Sequence, residues 1–207
     1  MLLDVGCGPG ALVSELGRRL GALRVAGVDP SAPFVAAARL LVPDADIREA
    51  AAEELPFGDA SFDLVLSQLV VNFTSDPQRA LAEMRRVGQR TVAACVWDYA
   101  GEMTMLRSLW DAALELDPNA PDEGAVMHYC SPAELAELWS AASLRDVVTG
   151  ELVVHADYAD FADYWSPFPA GIARRPVPIA CRSTLSGARR CARPASGASA
   201  RRRARSA

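Results

Sequence analysis

Three glycines at alternate positions, Gly6, Gly8 and Gly10, close the stretch LLDVGCGPG near the start of the chain. Without Cβ atoms they let a backbone turn sharply after a strand and come close to a ligand, while the helix that follows offers unbonded N–H groups. Asp29 ends a second apolar run, VAGVDPS, 19 residues beyond Gly10. A carboxylate there can accept hydrogen bonds from two ribose hydroxyls, so strand, glycine turn and acid stand in the order a nucleoside-containing cofactor requires. An Asp before Pro is by itself an ordinary turn residue; its register with the glycine turn gives it the ribose role. With Pro9 and Gly10 following Gly8, the turn fits the G-x-G-x-x-G spacing of nicotinamide and flavin sites poorly.

These residues need a frame. Apolar, β-branched runs recur at LLDVG, LRVAGVD, ADIREA, FDLVLSQLVV and TVAACVWDY, separated by stretches with helical spacing such as ALVSELGRRL, APFVAAARLL and PQRALAEMRRV. Strand and helix in alternation predict a doubly wound, mostly parallel α/β sheet with helices on both faces. Beyond it, MTMLRSLWDAALEL predicts an amphipathic helix. SPAELAELWSAASL predicts another, with Ser131 as N-cap, Pro132 at the first helical position and Glu134 completing the cap. DVVTGELVVHADY predicts one or two strands, and DFADYWSPF a short aromatic helix. Trp97, Trp110, Trp139, Trp165, Tyr99, Tyr158 and Tyr164 give the second half an aromatic bias that fills core and can wall an apolar pocket.

At 207 residues and 51% hydrophobic composition the chain can bury one sizeable core. The expected domain covers residues 1–173. No run is long enough for a membrane span and no signal peptide is recognisable, so a cytoplasmic location is expected. Cys7, Cys95, Cys130, Cys181 and Cys191 are scattered and are expected to be reduced thiols. His128 and His155 are too isolated to suggest a metal site, and none is expected. The net charge of −5 hides a split: residues 1–173 carry −15 and residues 174–207 carry +10, all from Arg. That Arg/Ala/Ser/Pro-rich tail lacks an apolar period, reads as disordered, and has no aromatics for stacking on bases. The acidic domain also argues against a surface that tracks phosphates, so no nucleic-acid partner is expected.

Taken in order, LLDVGCGPG, VAGVDPS, AAAEELPFGDASFDLVLSQLVV and LAEMRRV make the chain resemble the class I S-adenosylmethionine-dependent methyltransferases. The similarity is greatest to the small-molecule branch that includes ubiquinone and menaquinone biosynthesis enzymes, and it covers roughly residues 2–172. It implies a Rossmann-like fold, S-adenosylmethionine as cofactor and methyl transfer to a small-molecule acceptor. It places Asp4 and the backbone at Gly6 and Gly8 at the methionine end of the cofactor, Gly10 in the same cofactor-binding turn, Asp29 at the ribose, Ala52 and Glu53 beside the adenine, and Ser67 and Gln68 near the sulfonium. It names no catalytic base. Asp98, His128 and Tyr129 are the polar candidates after the sheet, with structural roles favoured for each.

The chain departs from the family at several points. Ala51 stands where many relatives have an Asp that meets the adenine amino group, Asn72 where similar sequences often have His, and RRVGQRTV lacks the usual Pro-Gly-Gly turn before the fifth strand. The N-terminal helices that cover the cofactor and the final antiparallel strand are expected to be missing. The abrupt change of composition suggests an internal start and an out-of-frame tail. Two alternatives to the enzyme therefore stay open: a non-catalytic cofactor-binding remnant and a nicotinamide-dependent oxidoreductase. Acceptor and oligomeric state are not legible.

Overall fold

The structure, a computed structural model, describes residues 1–99, 103–120, 122 and 127–166. The expected domain boundary at residue 173, the basic tail, Cys181 and Cys191 lie outside the described residues. The chain divides into two compact units, one of residues 1–101 and 127–151, the other drawn from residues 102–126 and from 152 onward.

The first unit holds a five-stranded sheet: β1 (Leu2–Val5), β2 (Val25–Asp29), β3 (Asp46–Glu49), β4 (Phe62–Gln68) and β5 (Gly88–Cys95). Their spatial order is β3-β2-β1-β4-β5, and every neighbouring pair is parallel. β2 is buried at all five residues, as a central parallel strand covered on both faces must be. Its side chains alternate between two cores. Val25 packs with Val13 of α1 (Ala11–Leu20) and with Val35 and Ala38 of α2 (Ala32–Leu41). Ala26 and Val28 join Leu3, Val5 and Val65 against Ala80, Leu81, Met84 and Val87 of α3 (Pro77–Val87) and Leu138 of α5 (Pro132–Ala141). Helices therefore cover both faces, as expected. Burial of Leu3, Phe62, Leu81 and Met84 contributes about 1.5–3 kcal/mol each, which conformational entropy largely offsets.

Local rules set the helix ends. Asp76 caps α3 by accepting from the Arg79 amide at 3.0 Å, with Pro77 in the first turn. Ser131 caps α5 as predicted: its hydroxyl accepts from the Glu134 amide at 3.3 Å, and the Glu134 carboxylate accepts from the Ser131 hydroxyl and the Cys130 amide. The missing Pro-Gly-Gly turn is no obstacle to β5. Gly88 is both the C-cap of α3 and the first residue of β5, and a Cβ there would meet the Met84 carbonyl at 3.0 Å.

In the second unit, α4 (Thr104–Leu116) buries Leu109 and Ala112 against Leu106, Tyr164 and Trp165, the last two from the short α6 (Phe161–Trp165). The Tyr164 hydroxyl donates to the Met105 carbonyl at 2.8 Å. The strands expected within DVVTGELVVHADY do not form. No described residue forms a strand ladder with this segment, and Val148, Leu152, Val153 and Val154 are 74–90% exposed. An apolar run is a strand only where a neighbouring edge supplies its ladder.

Candidate functional site

The order β3-β2-β1-β4-β5 reverses direction between β1 and β4, and in such sheets ligands bind beyond the carboxyl ends of the strands at that reversal. The glycine turn sits there. The amides of Gly6 and Cys7 both donate to the Val28 carbonyl, at 2.8 and 2.9 Å, which staples the turn to β2. Gly6 has φ +76°, and a Cβ there would lie 2.3 Å from Val70 Cγ2, just past the end of β4. Gly8 has φ +53°, and nothing lies within 4 Å of the place a Cβ would take. One glycine is thus required by packing, while the other keeps the backbone bare toward open space. Gly10 is the N-cap of α1.

Asp29 is buried and organises the turn. Its Oδ2 accepts from the Gly8 amide and its Oδ1 from the Ser31 amide, both at 2.9 Å. A carboxylate has about four acceptor positions, so each oxygen keeps one for a ribose hydroxyl. Asp4 is 1% exposed, and neither of its oxygens has a hydrogen-bond partner. Burial raises its carboxyl to about 7, repulsion from Asp29 adds to this, and the Val13 amide, facing it without a hydrogen bond of normal geometry, only partly opposes it. A buried carboxylate with no partner lacks a cation or donor, which the ammonium group of an amino-acid end would supply. Burial, then the charges of Asp4 and Asp29, push the Cys7 thiol up to about 12, so it stays protonated and is no nucleophile.

The remaining predicted residues fall into two groups. Ser67 is buried at the end of β4 with no partner for its Oγ, whereas Gln68 is exposed. Leu69 follows with φ +60° and donates to the Cys95 carbonyl at 2.8 Å, which fixes the exit from β4. Ala52 is buried after β3. Glu53 turns away to α3, where its Oε1 accepts from the Ser75 amide at 2.9 Å, the Ser75 hydroxyl at 2.8 Å and the Asp76 amide at 3.2 Å. Burial raises the Glu53 carboxyl, but these bonds outweigh it and hold the group below its ordinary value. His128 is exposed, Tyr129 packs on the sheet core and Asp98 is half-buried. Asn72 is buried beside sulfur, its Nδ2 lying 3.4 Å from Met127 Sδ and 3.8 Å from Cys130 Sγ. Val70 beneath Gly6 was not legible as a site residue, because a valine after a strand is indistinguishable from core.

A parallel sheet with a glycine turn on β1 and an acid closing β2 defines a Rossmann-like cofactor-binding domain. Residues 3–93 match the family described as "Methyltransferase domain". The chain is 42% identical over 86 residues to the malonyl-[acyl-carrier protein] O-methyltransferase of Erwinia billingiae, a match that takes in 42% of this chain and 34% of that protein. It is 35% identical over 86 residues to the demethylmenaquinone methyltransferase of Chlorobaculum parvum, covering 42% of this chain and 35% of the relative. The chain thus spans about a third of the length of these relatives. The fold superposes on the methyltransferase bound to the Trm112 activator of Haloferax volcanii with a TM-score of 0.54 and 26% identity, over 68% of this chain and 59% of that one. Residues 3–93 are therefore similar to the methyltransferase domains that take S-adenosylmethionine as cofactor.

The site's residues fit that cofactor. The bare backbone at Gly8, the spare acceptor positions of Asp29 and the unpartnered Asp4 suit a glycosidic nucleoside that carries an amino-acid end. Among the described residues no helix is long and apolar enough to cross a membrane.

Proposed function

We propose that this chain transfers a methyl group from S-adenosylmethionine to a small-molecule acceptor. The reading is carried by the run of Asp4, the glycine turn and Asp29 along the carboxyl ends of β1 and β2. Bound there, the cofactor supplies a methyl group already activated by a sulfonium charge. Asp29 would hold the two ribose hydroxyls, and Asp4 the ammonium of the methionine end. The Gly6–Gly8 backbone would follow the chain between them, with Ser67 and Gln68 at the neighbouring end of β4. Fixing the nucleoside and the amino-acid end together aims the methyl group toward the acceptor, and alignment with exclusion of water is the main contribution a protein can make to such a displacement. No side chain needs to act as a general base when the acceptor is already nucleophilic.

One named relative is a demethylmenaquinone methyltransferase, which supports a small metabolite as acceptor. The test is calorimetric titration of the chain with S-adenosylmethionine and with NAD. The chain binds the first and not the second. Asp29→Ala, which removes two charge-assisted hydrogen bonds, weakens binding at least about 100-fold. Unchanged affinity in that variant overturns the assignment of the site.

A further inference from the structure

The segment between β3 and β4 is fastened to α3 along its length. Arg79, Glu83 and Arg86 fall at i, i+4 and i+7 and form one stripe of that helix. Arg79 Nε donates to the Glu53 carbonyl at 2.9 Å, and Glu83 Oε2 accepts from the Leu55 amide at 2.9 Å. Arg86 donates to the carbonyls of Leu55 at 3.0 Å and Phe57 at 2.8 Å, and pairs with Asp59 at 2.8 Å. The Glu53 carboxylate completes the set by bonding back to Ser75 and Asp76 at the start of α3. Buried Ala52 and Leu55 seat the same segment on the core.

This segment begins beside Asp29. The Ala50 amide donates to the Asp29 carbonyl at 3.1 Å, and β3 adjoins β2 on the side away from β1. A nucleoside whose ribose rests on Asp29 and whose other end lies at β1 therefore extends its base over residues 50–53. The polar side chain available on that stretch is Glu53, and its Oε1 is already engaged by three donors.

We propose that Glu53 is a positioning residue: by tying residues 50–55 to Ser75 and the N-cap Asp76 of α3 it holds the surface that receives the cofactor's base, and it does not itself read the base. This rests on the S-adenosylmethionine reading. A carboxylate that accepted from the 6-amino group of adenine would be coupled to that group, whereas a tether is coupled to Ser75.

The experiment is a calorimetric cycle on the full chain with S-adenosylhomocysteine and its 6-oxo analogue, S-inosylhomocysteine. The variants are Glu53→Ala, Glu53→Gln, Ser75→Ala and the double variant Glu53→Ala/Ser75→Ala, with amide hydrogen exchange recorded on each. Glu53→Ala weakens S-adenosylhomocysteine about tenfold, Glu53→Gln recovers to within about threefold, and the double variant binds no more weakly than Glu53→Ala. The affinity ratio between the two ligands stays the same in wild type and Glu53→Ala. Exchange at the Ser75, Asp76 and Leu55 amides rises about tenfold in Glu53→Ala while the β1 and β2 amides are unchanged. A ligand ratio that collapses only in Glu53→Ala shows direct contact and overturns the proposal, as do additive effects of Glu53 and Ser75 or unchanged exchange. A wild-type chain that binds neither ligand, with exchange altered as expected, overturns instead the cofactor reading beneath it.

Discussion

Asp4 should make cofactor affinity depend on pH across the neutral range. The perturbation is protonation of a carboxyl that burial and the neighbouring Asp29 raise from 3.8 to about 7. Because the native state keeps a proton that the unfolded chain has released, stability of the free protein falls as pH rises from about 4 to about 7. Over that interval of about three pH units the loss is on the order of 4 kcal/mol. A bound ammonium group favours the ionised form, so binding reverses the logic. It is strongest above pH 7 and weakens as pH falls, because at pH 6 only about one chain in ten carries Asp4 ionised. S-adenosylhomocysteine should therefore bind about tenfold more weakly at pH 6 than at pH 8. At pH 6.5 binding should release roughly three-quarters of a proton, read calorimetrically as a dependence of the enthalpy on buffer ionisation. Asp4→Asn should abolish the proton release, stabilise the free chain at pH 8 and weaken binding about 10- to 100-fold there, the loss of one charge-assisted hydrogen bond. Affinity that is flat from pH 6 to 8, or proton release that persists in Asp4→Asn, would refute the argument.

The two turn glycines should fail in different ways. Gly6→Ala drives a Cβ to 2.3 Å from Val70 and should cost at least about 2 kcal/mol of folding stability, measured by denaturant unfolding. Gly8→Ala meets open space, so it should cost only about 1–2 kcal/mol for its left-handed backbone while lowering S-adenosylhomocysteine affinity more than about tenfold. Ser131→Ala removes the cap of α5 and should lower stability by about 1 kcal/mol without affecting cofactor affinity.

Much of the frame is written locally. The runs that become β1 and β2 are apolar because both faces of the sheet are covered there, and Ser131 and Glu134 announce a helix start through their own hydrogen-bonding capacity. Asp29 is legible because its distance from the glycine turn is set by one strand-helix-strand unit. What escapes the sequence depends on distant partners. Glu53 could face a base or a helix end, and only the arrival of Ser75 and Asp76 decides it. LAEMRRV and EELPFGD can be recognised as motifs, but their meeting through Glu83 and Arg86 is a tertiary fact. The LVV of residues 152–154 carries the composition of a strand, yet its exposure shows that composition cannot supply a neighbouring edge.

A nucleoside with an amino-acid end should lie along the carboxyl ends of β1 and β2. A crystal structure of the chain with S-adenosylhomocysteine bound measures it directly. Both ribose hydroxyls should lie within roughly 3 Å of the Asp29 carboxylate, and the ammonium group within roughly 3 Å of Asp4 or one water away. A ligand bound away from the carboxyl ends of β1 and β2, or with its ribose on a residue other than Asp29, would contradict the account.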